Sequence, residues 1–277
     1  MNLQQFIEQA IIEDIGSGDH TSLACIPSYA ESSAILKVKD TGILAGLEEA
    51  LVVFSMIDKN LKIETYLQDG TAIKPGDIAF KVQGKAQSIL MAERLVLNIM
   101  QRMSGIASLT NKFVKAVEGY PAKILDTRKT TPNFRYFEKK AIKIGGGENH
   151  RFALYDMMMI KDNHISYAGG IQQAVERANL YLKANNLNLK IEIEAGNINQ
   201  VKEILSIGNI HRIMLDNFSL ADMHEAVKMI GKRFETEISG GVTLETVRDF
   251  ASTGVDYISV GALTHSAKSL DLSLKAS

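Results

Sequence analysis

The chain has 277 residues, 45% of them hydrophobic and 23% charged, with a formal net charge of -1. That composition is globular and supplies enough apolar material for one large α/β domain or for a barrel with a smaller partner domain. Near-zero charge argues against nucleic acid as the main partner, because binders of the phosphate backbone carry a basic excess.

A single cysteine, Cys25, excludes a disulfide within the chain and argues against a Cys-based zinc site. It reads as a small buried apolar residue. Residues 1–16, MNLQQFIEQAIIEDIG, lack the basic start and unbroken apolar stretch of a signal peptide. No run approaches the roughly 18 to 20 apolar residues that span a bilayer. A cytoplasmic protein with no membrane partner is expected.

In chain order, Leu3, Phe6, Ile7, Ala10 and Ile11 share one helical face, and the turn-rich run IGSGDHTS follows. Short β-like segments are read at Ala34–Lys39, Leu61–Tyr66 and Ile78–Val82, with a helix at Glu48–Ile57 between the first two. A long helical pattern runs from about Ala86 to Val117, with a break expected near Gly105. Strands and helices mixed without regular alternation indicate an α+β domain.

From residue 122 the pattern changes. The apolar runs AKILDTRK, MMMIKDN, LKIEIEA, RIMLDN, FETEISGG and DYISVGAL alternate with helices at Ile171–Lys183, Asn199–Leu205, Leu220–Ile230 and Leu244–Ser252. Strands apolar on both faces with helical crossovers predict a parallel sheet. Six strands rather than eight predict an incomplete (β/α) barrel. The fold class is α/β: an N-terminal α+β domain (1–110), then the barrel (111–265) and a C-terminal tail (266–277).

Each apolar run ends in a polar or glycine-rich group: Asp126-Thr127-Arg128-Lys129, Lys161-Asp162-Asn163-His164, Glu194, Asp216-Asn217, Ser239-Gly240-Gly241, and Gly261 before Thr264-His265. Barrel active sites lie at the carboxyl ends of the strands, where such side chains converge.

Three constellations carry chemistry. Between Asp126 and His164, eight basic side chains face five acidic ones, a local positive excess suited to carboxylates. Lys139 and Lys143 read as solvated helix residues, whereas Arg128, Lys129, Arg151 and Lys161 flank strand ends or the GGGENHR loop. Glu192, Glu194 and Asp216 form an acidic set able to bind Mg²⁺ or accept ribose hydroxyls; the bland alternative is a buried ion pair. The glycine-rich runs SGGVT and SVGALTHS offer backbone amides to phosphate. Together they suggest a ligand bearing both carboxylates and phosphates.

In order along nearly the whole chain, EDIGSGDHTS, ERLVLNIMQRMSGIA, DTRKTTPNFR, EKKAIKIGGGENHR, IKDNH, LDN, SGG and SVGALTHS resemble the quinolinate phosphoribosyltransferase family. The resemblance implies transfer of phosphoribosyl from phosphoribosyl pyrophosphate to quinolinate, with decarboxylation, giving nicotinate mononucleotide for NAD biosynthesis.

It implies that Arg128, Arg151 and Lys161 hold the quinolinate carboxylates, that Lys129 and His150 line the same pocket, and that Arg94 is donated across a homodimer. It also implies that Glu194 and Asp216 meet the ribose hydroxyls and Mg²⁺, and that Ser239, Gly240, Gly241, Gly261 and His265 surround the 5′-phosphate. Lys129, Lys161, Glu194 and Asp216 are the implied catalytic set.

The chain departs from the family pattern in two places. Asn133-Phe134 stands where Gly-Leu is common, and IGNIHR is one residue longer, which leaves Glu192 and Glu194 as alternatives. Competing readings are a related transferase acting on another acid, a Schiff-base lyase using Lys161, and a phosphate-ligand binding module.

Overall fold

The computed structural model describes residues 3–277. In chain order the elements are α1 (Leu3–Ile15), α2 (His20–Cys25), β1 (Glu31–Val38), β2 (Gly42–Ile43), α3 (Leu47–Ile57), β3 (Lys62–Thr65), β4 (Ala72–Ile73), β5 (Ile78–Lys85) and α4 (Ala86–Ala116). There follow β6 (Lys123–Leu125), α5 (Arg135–Ile144), β7 (Met158–Ile160), α6 (Asp162–Ala168), α7 (Ile171–Ala184), β8 (Ile191–Ala195), α8 (Ile198–Ile207) and β9 (Arg212–Asp216). The last are α9 (Leu220–Ile230), β10 (Glu235–Ser239), α10 (Val247–Ser252), β11 (Tyr257–Ser259), α11 (Ala262–His265) and β12 (Leu272–Ala276). No helix among the described residues is long and apolar enough to cross a membrane.

One compact unit comprises residues 1–111, 130–146 and 263–277. Its main sheet is antiparallel, in the order β12-β1-β5-β3. Ala34, Leu36 and Val38 alternate inward along β1, the period-2 burial of a half-covered strand. The segment read as a C-terminal tail instead supplies β12, with Leu36 opposite Leu274 and Val38 opposite Leu272. Leu272 and Leu274 are both buried, and that apolar alternation recruits the segment into the sheet.

The break expected at Gly105 is absent, and α4 runs unbroken for 31 residues, about 46 Å at 1.5 Å per residue. Gly105 has a packing role. A Cβ there would lie 1.9 Å from the Lys268 carbonyl oxygen, so only glycine lets that chain pass. Cys25, read as buried, is exposed at the end of α2.

The second unit comprises residues 112–129 and 147–262. Its sheet is parallel throughout, in the order β6-β11-β10-β9-β8-β7. From β7 to β11, each strand returns through helix to its sequential neighbour. The order leaves β6 and β7 at opposite edges, so the six strands do not close. Glu148, which lies in no strand, adds a parallel bridge to Leu125 of β6.

Ile191, Ile193, Ile213, Leu215, Ile238 and Ile258 are fully or almost fully buried. The residues alternating with them, Glu192, Glu194, Arg212, Asp216, Glu237 and Ser259, fall on the other face. Asn197 caps α8 by accepting from the Gln200 amide, and Ser219 caps α9 by accepting from Asp222. Each cap contributes about 1 kcal/mol and fixes where the chain turns just after Glu194 and Asp216.

Candidate active site

The site lies at the carboxyl ends of the parallel strands of the second unit. A cavity of about 640 Å³ is lined by Lys161, Asp162, Glu194, Gly196, Asn197, Gln200 and Asp216, from the ends of β7, β8 and β9. Lys161 Nζ is paired with Glu194 Oε1. Asp216 accepts from Asn217 Nδ2 at 3.1 Å, and in register it stands beside Ser239 of β10.

Gly240 follows at φ +92°, where a Cβ would lie 2.1 Å from Asn217 Oδ1. The turn after β10 therefore rests on the turn after β9, and glycine is what permits the approach. Gly241 is exposed and Gly261 half-buried at the end of β11. α10 begins at Val247, three residues later than its sequence suggests.

Arg128 and Lys129 are exposed on the segment leaving β6. Arg151 is partly buried and lines an adjacent cavity of about 470 Å³ with Met158, Met159, Ile160 and His164. Its Nη1 donates to the Met157 carbonyl at 3.2 Å. Burial, and then the charge of Arg128, lower the Arg151 pKa. A half-buried guanidinium with a second cation close by makes a place where an anion with two carboxylates is favoured.

His150 is placed differently from the pocket-lining role expected of it. Its residue is only 8% exposed, and its ring faces inward, Nε2 lying 2.9 Å from Glu192 and 3.4 Å from Glu237. Arg212 Nη1 lies 2.7 Å from Glu237 and 3.9 Å from Glu192, and its guanidinium stacks over the Tyr257 ring at 4.0 Å. The Ser259 hydroxyl donates to Glu237.

Burial alone would lower His150, but its bonds to the two carboxylates carry it up to about 9. Glu192 is pushed up to about 7 by burial and by the charge of Glu237. For Glu237 burial is outweighed by His150 and Arg212, which hold it low. The Arg151 amide donates to His150 Nδ1 at 2.7 Å, which needs a lone pair there and directs the ring proton to Nε2. His150, Glu192 and Glu237 share protons as one set, so the raised values of His150 and Glu192 belong to the set and not to either group alone.

The structure thus separates the two glutamates that sequence left as alternatives. Glu192 is fully buried in the ion network, and Glu194 reaches the cavity. Glu192, Glu237 and His150 could group around a cation, but Arg212 already supplies positive charge to that set. Glu194 and Asp216 fit Mg²⁺ better: both border the cavity, and each keeps a carboxylate oxygen outside the contacts described. Hard oxygens beside open space suit an ion that retains waters and takes phosphate ligands.

Arg94 is exposed on α4, and His265 is exposed at the end of α11 with Nδ1 2.7 Å from Ser266 Oγ; both belong to the first unit. Lys139, read as solvated, is only 2% exposed within α5; Lys143 is exposed as expected. The amphipathic periodicity of α5 turns Lys139 inward beside Phe137, Ala141 and Ile142. The inward charges Arg212 and Glu237 were not singled out from sequence. Their signal is charge confined to alternating positions, two residues apart in IEIEA and ETEIS and four apart in RIMLD.

Residues 19–104 match the family description "Quinolinate phosphoribosyl transferase, N-terminal domain", and residues 106–275 match that for the C-terminal domain. A quinolinate phosphoribosyltransferase (decarboxylating) of Nicotiana tabacum is 47% identical over 99% of this chain and 82% of its own. A probable nicotinate-nucleotide pyrophosphorylase (carboxylating) of Bacillus subtilis is 40% identical over 99% and 93%. The crystal structure of NadC from Streptococcus pyogenes superposes with a TM-score of 0.94 at 38% identity, covering 99% of this chain and 95% of that one. With its strand-end cations, acids and glycines all carried on one parallel sheet, the chain belongs to the quinolinate phosphoribosyltransferase family.

Proposed function

We propose that the protein transfers the phosphoribosyl group of phosphoribosyl pyrophosphate to the ring nitrogen of quinolinate, releasing pyrophosphate and CO₂ and yielding nicotinate mononucleotide. The observation that carries this reading is the placement at one sheet end of a cationic set, Arg128, Arg151 and Lys161, and an acidic set, Glu194 and Asp216. The first suits a dicarboxylate and the second a ribosyl phosphate.

In this reading Arg128, Arg151 and Lys161 orient quinolinate, with Lys129 beside them. Positioning of this kind contributes several kcal/mol, about 7 in favourable cases. The pyridine nitrogen attacks the anomeric carbon, and the bond to pyrophosphate breaks with its electron pair leaving on the phosphate oxygen. Glu194 and Asp216 face the ribose hydroxyls and offset the positive charge that develops on the sugar. The amides of Ser239, Gly240, Gly241 and Gly261 hold the 5′-phosphate.

Once alkylated, the ring nitrogen is cationic. Cleavage of the adjacent carbon–carboxylate bond releases CO₂ and leaves an electron pair that the cation stabilises until a proton is taken up. Glu194 and Asp216 would hold Mg²⁺, which supplies charge neutralisation to the pyrophosphate.

The exposure of Arg94 on α4 suits its donation to the site of a second copy, so we propose a homodimer. The substrates are small, soluble and charged, and we place the reaction in the cytoplasm with no nucleic acid or membrane partner. The ion pair of Lys161 with Glu194 favours a fixed point charge over the free amine that a Schiff-base lyase needs.

The decisive assay combines purified protein, quinolinate, phosphoribosyl pyrophosphate and Mg²⁺. Nicotinate mononucleotide and CO₂ should appear in equal amounts. Turnover of nicotinate in place of quinolinate would overturn the assignment.

A further inference from the structure

Barrel interiors are ordinarily filled by branched apolar side chains. The inner face of this sheet instead buries Glu192, Arg212, Glu237 and Ser259, with His150 against them. Burying such charges costs several kcal/mol per ion, roughly offset by pairing, and apolar replacements are often as stable or more so. Stability therefore does not account for them. None is assigned contact with substrate in the mechanism above, so a different role must explain them.

The network leads to the arginines. His150 is held twice: its amide donates to Asp126 Oδ1 at 2.8 Å, and its ring is gripped by Glu192 and Glu237. Asp126 is fully buried at the root of the segment bearing Arg128 and Lys129. In the other direction, the His150 ring accepts the main-chain N–H of Arg151. His150 thus meets the root of the Arg128 segment through its main-chain amide and the Arg151 amide through its ring; Glu192 and Glu237 contact that ring, and Arg212 and Ser259 in turn hold Glu237.

We infer that Glu192, Glu237 and Arg212 are positioning residues that act through His150 to set the spacing of Arg128 and Arg151 for a dicarboxylate. The inference rests on the proposed role of those arginines. Hydrogen-bonded networks in a low-dielectric interior fix geometry tightly because a broken member leaves the others unsatisfied. The effect should fall on the carboxylated substrate and spare the sugar phosphate.

The test is calorimetric binding of quinolinate and, separately, of phosphoribosyl pyrophosphate with Mg²⁺ to the full-length protein and to Glu192→Gln. The expected result is a rise of about tenfold in the quinolinate Kd, the size of one lost charge-assisted bond, with the phosphoribosyl pyrophosphate Kd within about twofold of wild type. Unchanged quinolinate affinity overturns the inference, and so does parallel loss of both ligands, which is what general loosening of the barrel would give.

If Glu192→Gln does not fold, Ser259→Ala, which removes only a hydroxyl from Glu237, carries the same test with an expected rise of about threefold. No change in that variant overturns the inference equally. Arg151→Ala separates the two levels. Wild-type quinolinate affinity there would remove the clamp itself, whereas lost affinity there with normal affinity in the network variants would remove only the positioning role.

Discussion

Glu192 and Glu194 stand two residues apart on the same face of β8, yet one is sealed against His150 and the other is paired with Lys161 at the edge of a cavity. One strand thus carries an acid that works from inside the fold and an acid that meets solvent.

The outer acid should matter for turnover more than for folding. Glu194→Gln is expected to lower kcat by about a hundredfold, the scale of losing one preorganised electrostatic contact. Because its partner Lys161 is partly exposed, the stability loss should stay below about 1 kcal/mol. Steady-state rates and a urea titration check both halves. Full activity would remove Glu194 from the mechanism.

Arg128→Ala and Arg151→Ala should each abolish measurable turnover while leaving the far-ultraviolet circular dichroism spectrum unchanged. Arg128 is exposed, so its loss removes no core packing. A near-normal rate in either purified variant refutes its role in holding a carboxylate.

Stability should depend on pH through the buried set. His150 rises on folding from an ordinary 6.5 to about 9. A raised pKa gives stabilisation that is complete below the unfolded value and disappears as pH climbs through the folded one. Glu192, raised from 4.5 to about 7, acts in the same sense at lower pH. Glu237, held low, acts oppositely, with its contribution lost only as pH falls below the ordinary carboxylate range.

The unfolding free energy from urea titrations should therefore fall between pH 6.5 and 9, by at most about 1.4 kcal/mol per pH unit per proton, and the urea midpoint should fall with it. His150→Asn should flatten that slope. A wild-type midpoint that holds level across the window would contradict the proton accounting.

Gly105→Ala should destabilise the protein by about 1–3 kcal/mol, because the added methyl meets backbone rather than a movable side chain. Thermal melting of the variant checks this. Gly119, with open space around its Cβ position but a φ of +91°, is the comparison in which strain acts without a clash.

Much of the barrel was legible because its code is local. Apolar five-residue runs closed by polar groups and separated by helical periodicity place all six strands of the parallel sheet, together with the strand-end groups of the cavity. What sequence hid was decided by distant contacts. β12 is unremarkable until paired with β1, and Lys139 is turned inward by the packing of its helix. His150 is adjacent to Arg151 in sequence, but its ring points to strands more than forty residues away.

The unusual pair Asn133-Phe134 becomes intelligible in the same way. Asn133 takes φ +63°, a left-handed conformation that asparagine tolerates better than most residues. Phe134 then stacks on Phe137 at 4.4 Å and meets Phe6 edge-on at 5.7 Å. The loop tip is an aromatic cluster.

The pairing of β12 with β1 also orders events in time. Residues 34–38 wait during synthesis for residues 272–276, so the antiparallel sheet lacks a strand until those residues are made. The parallel sheet, complete by Ser259, has all its strands earlier. The antiparallel sheet therefore cannot be completed before every strand of the parallel one has been made, and until then β1 presents an open edge to any other strand that can pair with it.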